Sequence, residues 1–393
     1  MKIISFYIFL TTILIGCQSG NQKQKTGDLP IINLSNNYSK KEIRLKDISD
    51  IEYIPLETKD HVLLGYAHLK YVSDNYMVIF DVQGNVYIFN RNGAFISHIS
   101  HKGNGPREYT NLSGILFDEK NEEIFLTDGS TNRSLVYSIF GDYKRTIKYT
   151  TDIYLPSIYN FDDETMLVYN NDIKRSNNKY SKKPYMLLSK KDGSFVANID
   201  ITLHTRYANV QALEIGMSNG QKAYTSVSIN TYNNMYYGDD FVIADMSSDT
   251  IYKLTLKREL IPMLARTPSV HSSKSPIVWS TILTTDKYII LYKTILDFVA
   301  KEQGANVPEE LLMYEYETGH TYNVSLVNDD LEGRIRVSLH LTIDGVDILK
   351  NMLAQLVWPN QLKKYYETKQ LKGELVKIPD EEDNPIVAIY HFK

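Results

Sequence analysis

The chain has 393 residues, of which 43% are hydrophobic and 23% are charged, so it can bury a large core and global disorder is not expected. Its formal net charge is -4, and it lacks the basic excess that neutralises phosphates, which argues against a nucleic-acid partner. The 30 Tyr and 13 Phe occur in short runs separated by Asn, Asp and Gly, a composition that favours an all-β protein.

The N-terminus has the pattern of an exported lipoprotein. Met1-Lys2 supplies one positive charge, residues 3–15 are apolar but too few to span a bilayer comfortably, and Leu14-Ile15-Gly16-Cys17 follows. In a bacterial lipoprotein box, a small residue precedes the cysteine that receives diacylglycerol. We therefore predict a signal peptide over residues 1–16 and lipidation of Cys17, the only cysteine, which also excludes a disulfide. The alternative is an ordinary signal peptide with a chance cysteine.

A polar segment over residues 17–37 is predicted to be a lipidated, flexible tether to a folded domain of residues 38–393. No later segment reaches about 18 consecutive apolar residues, so no further membrane crossing is expected. The domain should therefore hang from a membrane on its exported side, and we expect the outer membrane. No acidic run follows Cys17, which favours the periplasmic side over the cell surface.

A pattern of strands and turns recurs along the domain. In the first copy an apolar run ends in Asp81, and two alternating strands follow, separated by a turn that closes with Gly93. Asp128 begins a second copy and Asp245 a looser one. The equivalent turn glycines are Gly93, Gly141 and Gly193, spaced by about 50 residues. Four strands in each repeat of about 50 residues are the signature of a β-propeller.

Five complete sets of four strands fit between Gly65 and Leu326. The fourth set is the least regular, and we predict that it begins with the strand Tyr224–Ile229. The strands left over at the two ends of the domain, near Ile51–Leu56 and Ile386–Tyr390, should pair to form a sixth blade. Closing the ring in this way removes the open edges of the sheet.

A helical pattern interrupts the strands before the C-terminus. Asp347 can cap a helix whose apolar residues at 348, 349, 352, 353 and 356 have helical spacing, and Pro359 ends it. A second helical run, Leu362–Leu371, stops at Gly373. The predicted fold is therefore an all-β, six-bladed β-propeller of four-stranded antiparallel blades, with a small helical insert at about residues 346–373.

Four motifs carry a resemblance to a known family. They are the lipoprotein box, Tyr53-Ile54-Pro55-Leu56-Glu57-Thr58, Gly103-Asn104-Gly105-Pro106-Arg107-Glu108-Tyr109 and Asn384-Pro385-Ile386-Val387. With them the chain resembles the six-bladed β-propeller lipoproteins of Bacteroidetes, relatives of NHL-repeat propellers. The resemblance covers essentially the whole mature chain and implies the same fold and anchor. Most members of that family have glycine where Arg107 stands, so the turn there is expected to differ.

The loop Gly103–Tyr109 is the first candidate binding element. It joins the outermost strand of one blade to the innermost strand of the next, near the mouth of the central channel. Six residues in this loop and in a later crossing are the candidate ligand-binding residues: Arg107, Glu108, Tyr109, His204, Arg206 and Tyr207. A purely structural turn is the alternative, since loop glycines often serve the backbone. A phosphate cradle is not favoured, because the loop lacks the Gly-Lys-Ser/Thr ending of a P-loop.

Two further sets of residues, three aspartates and two histidines, are of types that can bind a metal ion. Asp81, Asp128 and Asp245 each end the second strand of a set, where a carboxylate commonly caps the following turn. His98 and His101 are three residues apart, and on a strand such residues point to opposite faces. We therefore expect turn capping by the three aspartates, no metal site and no cofactor.

The longest irregular segments are predicted to project from one face. Loops between second and third strands and crossings between blades leave the same end of a four-stranded blade. The segments Asn170–Lys183, His204–Ala223 and Thr294–Glu310 are of these two types, as is Gly103–Tyr109. Aromatic residues in or near these loops could stack on a sugar or a peptide: Tyr207, Tyr224, Tyr232, Tyr236 and Tyr237.

Two functions remain open from the sequence. The favoured one is a membrane-anchored binding or scaffolding propeller with a carbohydrate, peptide or protein partner on its long-loop face. The alternative is an enzyme of the lactonase or lyase type, acting at the central channel with or without a metal. The chain lacks H-E-x-x-H, which lowers the expectation of an enzyme. A cluster of His, Asp, Glu or Asn at the channel axis would favour the enzyme.

Overall fold

The computed structural model describes residues 29–59, 62–150, 153, 157–171, 182–216, 222–229, 235–237, 240–328, 347–348, 351–359, 380 and 382–393. They form a six-bladed β-propeller of antiparallel blades, as predicted. The signal peptide, Cys17 and the first part of the predicted tether lie outside the described residues. No helix among the described residues is long and apolar enough to cross a membrane.

The first three blades each have four antiparallel strands, counted outward from the channel. The first blade comprises β4 (Ala67–Val72), β5 (Tyr76–Asp81), β6 (Val86–Asn90) and β7 (Phe95–Ile99). The second comprises β8 (Leu112–Asp118), β9 (Glu123–Asp128), β10 (Arg133–Ser138) and β11 (Tyr143–Lys148). The third comprises β12 (Ser157–Asn160), β13 (Thr165–Tyr169), β14 (Tyr185–Ser189) and β15 (Phe195–Asn198).

The fourth and fifth blades each gain a fifth strand from the N-terminal part of the domain. The fourth comprises β18 (Met235–Tyr237), β19 (Asp240–Ile243), β20 (Thr250–Leu254) and β21 (Leu260–Thr267), and β1 (Ile31–Asn33) adds to β21 in parallel. The fifth comprises β22 (Ile277–Thr284), β23 (Tyr288–Ile295), β24 (Glu309–Glu315) and β25 (Thr321–Val327), and β2 (Lys40–Arg44) adds to β25. The predicted tether over residues 17–37 is therefore too long, because β1 is ordered by the edge it covers and Leu34 is fully buried.

Strands from both ends of the domain form the sixth blade, which confirms the predicted closure. β28 (Ile386–Phe392) lies between β27 (Met352–Val357) and β3 (Ser49–Pro55) and is antiparallel to both. The side chain of Asn384 fastens this closure, because it accepts a hydrogen bond from the Leu64 amide (2.8 Å) and donates to the carbonyls of Glu57 (2.8 Å) and Val62 (2.7 Å). Two of the motifs that carry the family resemblance thus meet at the ring closure.

The predicted helix after Asp347 is wrong. The chain instead forms β26 (Asp347–Ile348), parallel to the channel edge of β4, and then β27. Asn351, with φ +55°, lies in the turn between them. All six residues of β27 are buried; five are apolar, and the sixth, Gln355, donates to the Tyr390 hydroxyl (2.7 Å). A mainly apolar strand buried on both faces also satisfies helical spacing. The second predicted helical run, Leu362–Leu371, lies outside the described residues.

A hairpin outside the blades replaces the predicted first strand of the fourth blade. β16 (Val210–Gly216) and β17 (Lys222–Ser228) form a separate two-stranded sheet in the crossing from the third blade to the fourth. β18 takes the innermost place instead. The described helices are short: α1 (Leu45–Ile48), α2 (Phe298–Glu302) and the 3-10 turn Val270–Ser272. α2 belongs to the loop between β23 and β24 and contacts the hairpin.

The hydrophobic core lies between neighbouring blades, since each blade is covered on both of its faces. In β5, Met77 and Ile79 pack in a cluster that includes Val387 of the sixth blade. Val78, which points the other way, packs with Phe117 of the second blade. Successive residues of a central strand are therefore both buried. This is why the second and third strands of the blades are almost continuously apolar.

Charged residues also join blades at the ends of the strands that carry the short turns. Lys190, which follows β14, places its ammonium 2.6 Å from the Asp118 carboxylate at the end of β8. Both side chains are almost fully buried. The Arg145 guanidinium donates to the Lys190 carbonyl (2.8 Å) and pairs with Glu123 (2.7 Å). These contacts lock the third blade to the second.

Candidate functional site

The long-loop face is defined here as the end of the propeller that carries the loops between second and third strands and the crossings between blades. The antiparallel order of every blade sends the segments 170–184, 199–234 and 296–308 to this end, together with 100–111. Their described parts touch one another. The Leu203 amide donates to the Lys182 carbonyl (2.8 Å), and Arg206 donates to the Asn170 carbonyl (2.7 Å). The hairpin of β16 and β17 reaches α2 in the fifth blade.

The loop Gly103–Tyr109 is stabilised by hydrogen bonds of its own residues. The Glu108 carboxylate accepts the Gly105 amide at 2.8 Å, and a Cβ atom at Gly103 would overlap that carboxylate. Tyr109 is 0% exposed, and its hydroxyl donates to the Gly84 carbonyl at 2.6 Å. Burial raises the pKa of Tyr109 to about 12. Glu108 and Tyr109 therefore both stabilise the crossover turn, whereas their predicted contact with a ligand stays a prediction.

Arg107 is exposed, as are Asn104 and Pro106 of the same loop. Its guanidinium lies 5.0 Å from the centroid of the Tyr143 ring, a cation–π distance. Its carbonyl accepts a hydrogen bond from the Tyr137 hydroxyl (2.6 Å), and the Tyr137 ring stacks on His101 at 5.2 Å. The junction of the first and second blades thus displays Arg107 beside an exposed imidazole and an aromatic ring.

The second predicted group lies at the junction of the third and fourth blades. His204 is exposed, and the Arg206 guanidinium lies over the Tyr169 ring at 4.9 Å. Burial raises the pKa of Tyr169, and the negative charge of Asp245 raises it further. The Tyr207 ring stacks on His271 at 5.7 Å, and the Tyr207 amide donates to the Ser247 hydroxyl (2.9 Å).

The six predicted ligand-binding residues therefore do not form one site. They occupy two different blade junctions on the same face, one between the first and second blades and one between the third and fourth. His271 joins the second group although it is 64 residues from Tyr207 in sequence, so no local pattern could have placed it there. Of the other aromatic candidates, Tyr224 is exposed on β17, and Tyr232 lies outside the described residues.

An exposed apolar patch on the first blade was not predicted. Tyr66, Val82 and Leu63 are 66%, 62% and 56% exposed, and the Val82 amide donates to the Tyr66 carbonyl (3.1 Å). The Tyr66 ring stands edge-on to His68 at 5.1 Å, and His68 stacks on Phe80 at 5.2 Å. Clustered exposed apolar residues commonly mark interaction sites. Tyr66 and Val82 are neighbours because the segment before β4 and the loop between β5 and β6 lie at the same end of the first blade.

The three aspartates cap turns, as predicted. Asp81 accepts the amides of Gln83 and Asn85, both at 2.9 Å. Asp128 accepts the Ser130 amide at 3.1 Å, and Asp245 accepts the Ser247 amide at 2.8 Å. Burial opposes ionisation of Asp128, but hydrogen bonds from Thr131, Ser130 and Thr110 outweigh it and lower its pKa.

The central channel bears on the enzyme alternative. β26 adjoins β4 and also contacts β18 of the fourth blade, so the chain itself occupies the channel between these opposite blades. In the described part of the chain, no group of three or more His, Cys, Asp or Glu side chains is placed to hold a metal ion. The exposed ring of His101 faces Tyr137, and the His98 ring stacks on Tyr87 at 6.1 Å.

Comparisons with known proteins agree with this fold. The crystal structure of a protein from Bacteroides fragilis NCTC 9343, provisionally designated an exported protein, matches with a TM-score of 0.61 and 17% identity, covering 92% of this chain and 99% of that one. A member of the DUF4221 family from Bacteroides vulgatus ATCC 8482 matches with a TM-score of 0.48 and 11% identity, covering 88% and 97%. None of the curated proteins matches the chain. A family model described as a domain of unknown function, DUF4934, matches residues 29–391, and the chain therefore belongs to this family.

Proposed function

We propose that this chain is a lipid-anchored binding or scaffolding propeller that holds a carbohydrate, peptide or protein partner on its long-loop face. The observation that carries the proposal is that the described parts of the segments 170–184, 199–234 and 296–308 meet at one end of the ring. There the Leu203 amide donates a hydrogen bond to the Lys182 carbonyl, and the hairpin contacts α2. The turns at the other ends of the strands are short, except for the connection between β27 and β28, which leaves the ring beside the Gly93 turn. Loops held on a rigid scaffold are where binding residues concentrate.

The residues that would bind a partner are those that reach solvent on this face. Arg107 and His204 are exposed, and Arg206 and Tyr207 are partly exposed. Tyr66 adds an exposed aromatic ring, which packs edge-on against His68, and His68 in turn stacks on Phe80. Aromatic rings and guanidinium groups stack on sugars and peptides and are common anchors of binding energy.

The proposed location is the periplasmic side of the outer membrane. It is supported by the motif Leu14-Ile15-Gly16-Cys17 and by the provisional export designation of the Bacteroides fragilis protein. A single acyl chain binds membranes only marginally, whereas the diacylated cysteine of a lipoprotein carries enough hydrocarbon for stable anchoring. A common origin with NHL-repeat propellers is part of the same proposal and rests on the sequence motifs.

The anchor is tested by Cys17→Ser. We expect the variant to lose fatty-acid label and to keep its signal peptide, because the thiol is the acceptor of the diacylglycerol. The measurement is metabolic labelling with an alkyne fatty acid, together with fractionation and mass determination of the product. Ser19→Ala, two residues away, is the control and should be processed normally. A Cys17→Ser protein of mature size that still partitions with membranes would contradict the anchor.

The binding role is tested by thermal shift of the mature chain without lipid, against oligosaccharides, peptides and divalent cations. A ligand of the folded state must raise its stability, by about 2.7 kcal/mol at a hundredfold excess over Kd. The substitutions Arg107→Ala and Tyr66→Ala should reduce the shift of a true ligand. Lys191→Ala, in a short turn, is the matched control and should leave the shift unchanged. A ligand whose shift responds to Lys191→Ala alone would contradict the assignment to the long-loop face.

A further inference from the structure

The hairpin of β16 and β17 presents two strand edges that the described chain does not cover. Each strand has seven residues, and their ladder runs without a bulge from Val210 opposite Ser228 to Gly216 opposite Lys222. The sheet contains these two strands alone among the strands described. The outward N–H and C=O groups of each strand are therefore a template for a further strand.

Five of the six outer blade edges are protected, and on the sixth, β7, the Phe95 amide already donates to the Glu57 carboxylate (2.8 Å). β1 covers β21, and β2 covers β25. β11 carries Lys144, Arg145 and Lys148, β15 has only four residues, and β3 ends at Pro55. Covered edges, cationic edges, short edges and proline are the usual devices that prevent strand addition. Neither hairpin strand has proline. The single charges of Glu214 on β16 and Lys222 on β17 form an ion pair at 3.1 Å, so the two strands together have no net charge.

The described contacts of the hairpin with the blades are few: it touches α2, and it is packed at its base. Ile229 packs with Val270, Val278 and Leu296 of the fourth and fifth blades, and Val227 is 8% exposed. Further along, Tyr224 is 62% exposed, and Ala212 and Ser226 are exposed. A two-stranded hairpin with so little cover is marginally stable in water, and a third strand would stabilise it.

We propose that the hairpin is a strand-addition site for an extended, uncharged segment of a partner protein. An edge offers backbone donors and acceptors at strand spacing, a pattern that another extended polypeptide matches and a sugar or a lipid surface does not. The neutral pair of Glu214 and Lys222 leaves no net charge for a charged segment to complement. The inference rests on the proposed binding function and specifies its partner class as a peptide.

Peptides that copy the two strands are the probes. Each strand is the native neighbour of the other, so a peptide with the sequence of Val210–Gly216 has side chains suited to the free edge of β17, and one with the sequence of Lys222–Ser228 suits β16. Binding to the mature chain without lipid is measured by fluorescence anisotropy of labelled peptides. Scrambled peptides and copies with a central proline are the peptide controls.

The expected result is saturable binding of a copied peptide, weakened about tenfold or more by a lysine placed on the paired strand, since edge lysines oppose strand addition. Ser226→Lys tests β17, Ala212→Lys tests β16, and Val196→Lys on β15 is the control. Equal circular dichroism and Tm show that the variants fold. Equal binding of copied and scrambled peptides would overturn the proposal. So would a dimer in analytical ultracentrifugation that these lysines dissolve, because the edge would then belong to a second copy. A thermal shift by an oligosaccharide would leave the proposed function standing in either case.

Discussion

Deletion of residues 384–393 should abolish cooperative folding of the whole domain. It removes β28, the middle strand of the sixth blade, whose residues Ile386–Tyr390 are essentially fully buried between β27 and β3. Burial of each large apolar side chain contributes about 1.5–3 kcal/mol, so the loss over β28 is comparable with the whole of the roughly 5–15 kcal/mol that stabilises a typical domain. The deletion also removes Asn384 and its three side-chain hydrogen bonds to the segment 57–64.

The measurement is thermal and urea unfolding followed by circular dichroism, with the soluble fraction after expression as a second readout. Deletion of Lys393 alone is the control, because this residue forms an exposed ion pair with Asp50 and should contribute little. An unchanged Tm after the ten-residue deletion would show that the ring does not depend on closure by strands from both ends.

Gly93→Ala should destabilise the junction of the sixth and first blades by roughly 3 kcal/mol. Gly93 has φ +84°, and the left-handed conformation costs a residue with a Cβ atom about 1–2 kcal/mol. A Cβ atom there would also overlap the Pro55 carbonyl oxygen. Moving that backbone disturbs the hydrogen bond from the Glu57 amide to the Gly93 carbonyl (2.8 Å), worth about 1 kcal/mol.

Gly304→Ala is the matched control for this substitution. Gly304 has φ +78°, close to that of Gly93, but open space surrounds its Cβ position. It should therefore cost only the conformational penalty of about 1–2 kcal/mol. The difference in unfolding free energy between the two variants, from urea denaturation, measures the contact between the blades. Equal losses would mean that the Gly93 turn does not hold the sixth blade.

In the candidate site, local contacts could be predicted from the sequence, whereas contacts between distant residues could not. The turn caps Asp81, Asp128 and Asp245 were predictable because each carboxylate binds amides two residues further along the chain. The bond from the Gly105 amide to Glu108 was not predicted, because it is equally local but depends on the loop conformation. The stacking of Tyr207 on His271 joins two different crossings and has no local signal.

By itself, the sequence determined the repeat of four strands, the turn glycines and the closure by both ends, because each follows from alternation, left-handed φ or the need to pair an edge. Only the tertiary structure decided between helix and strand at Met352–Val357, because an apolar run buried on both faces satisfies either period. It also decided that β1 and β2 cover two blade edges, while none of the described strands pairs with the outer edges of the hairpin. Those outcomes depend on which edges remain available after the ring has formed, and this is a property of the assembled blades rather than of any local segment.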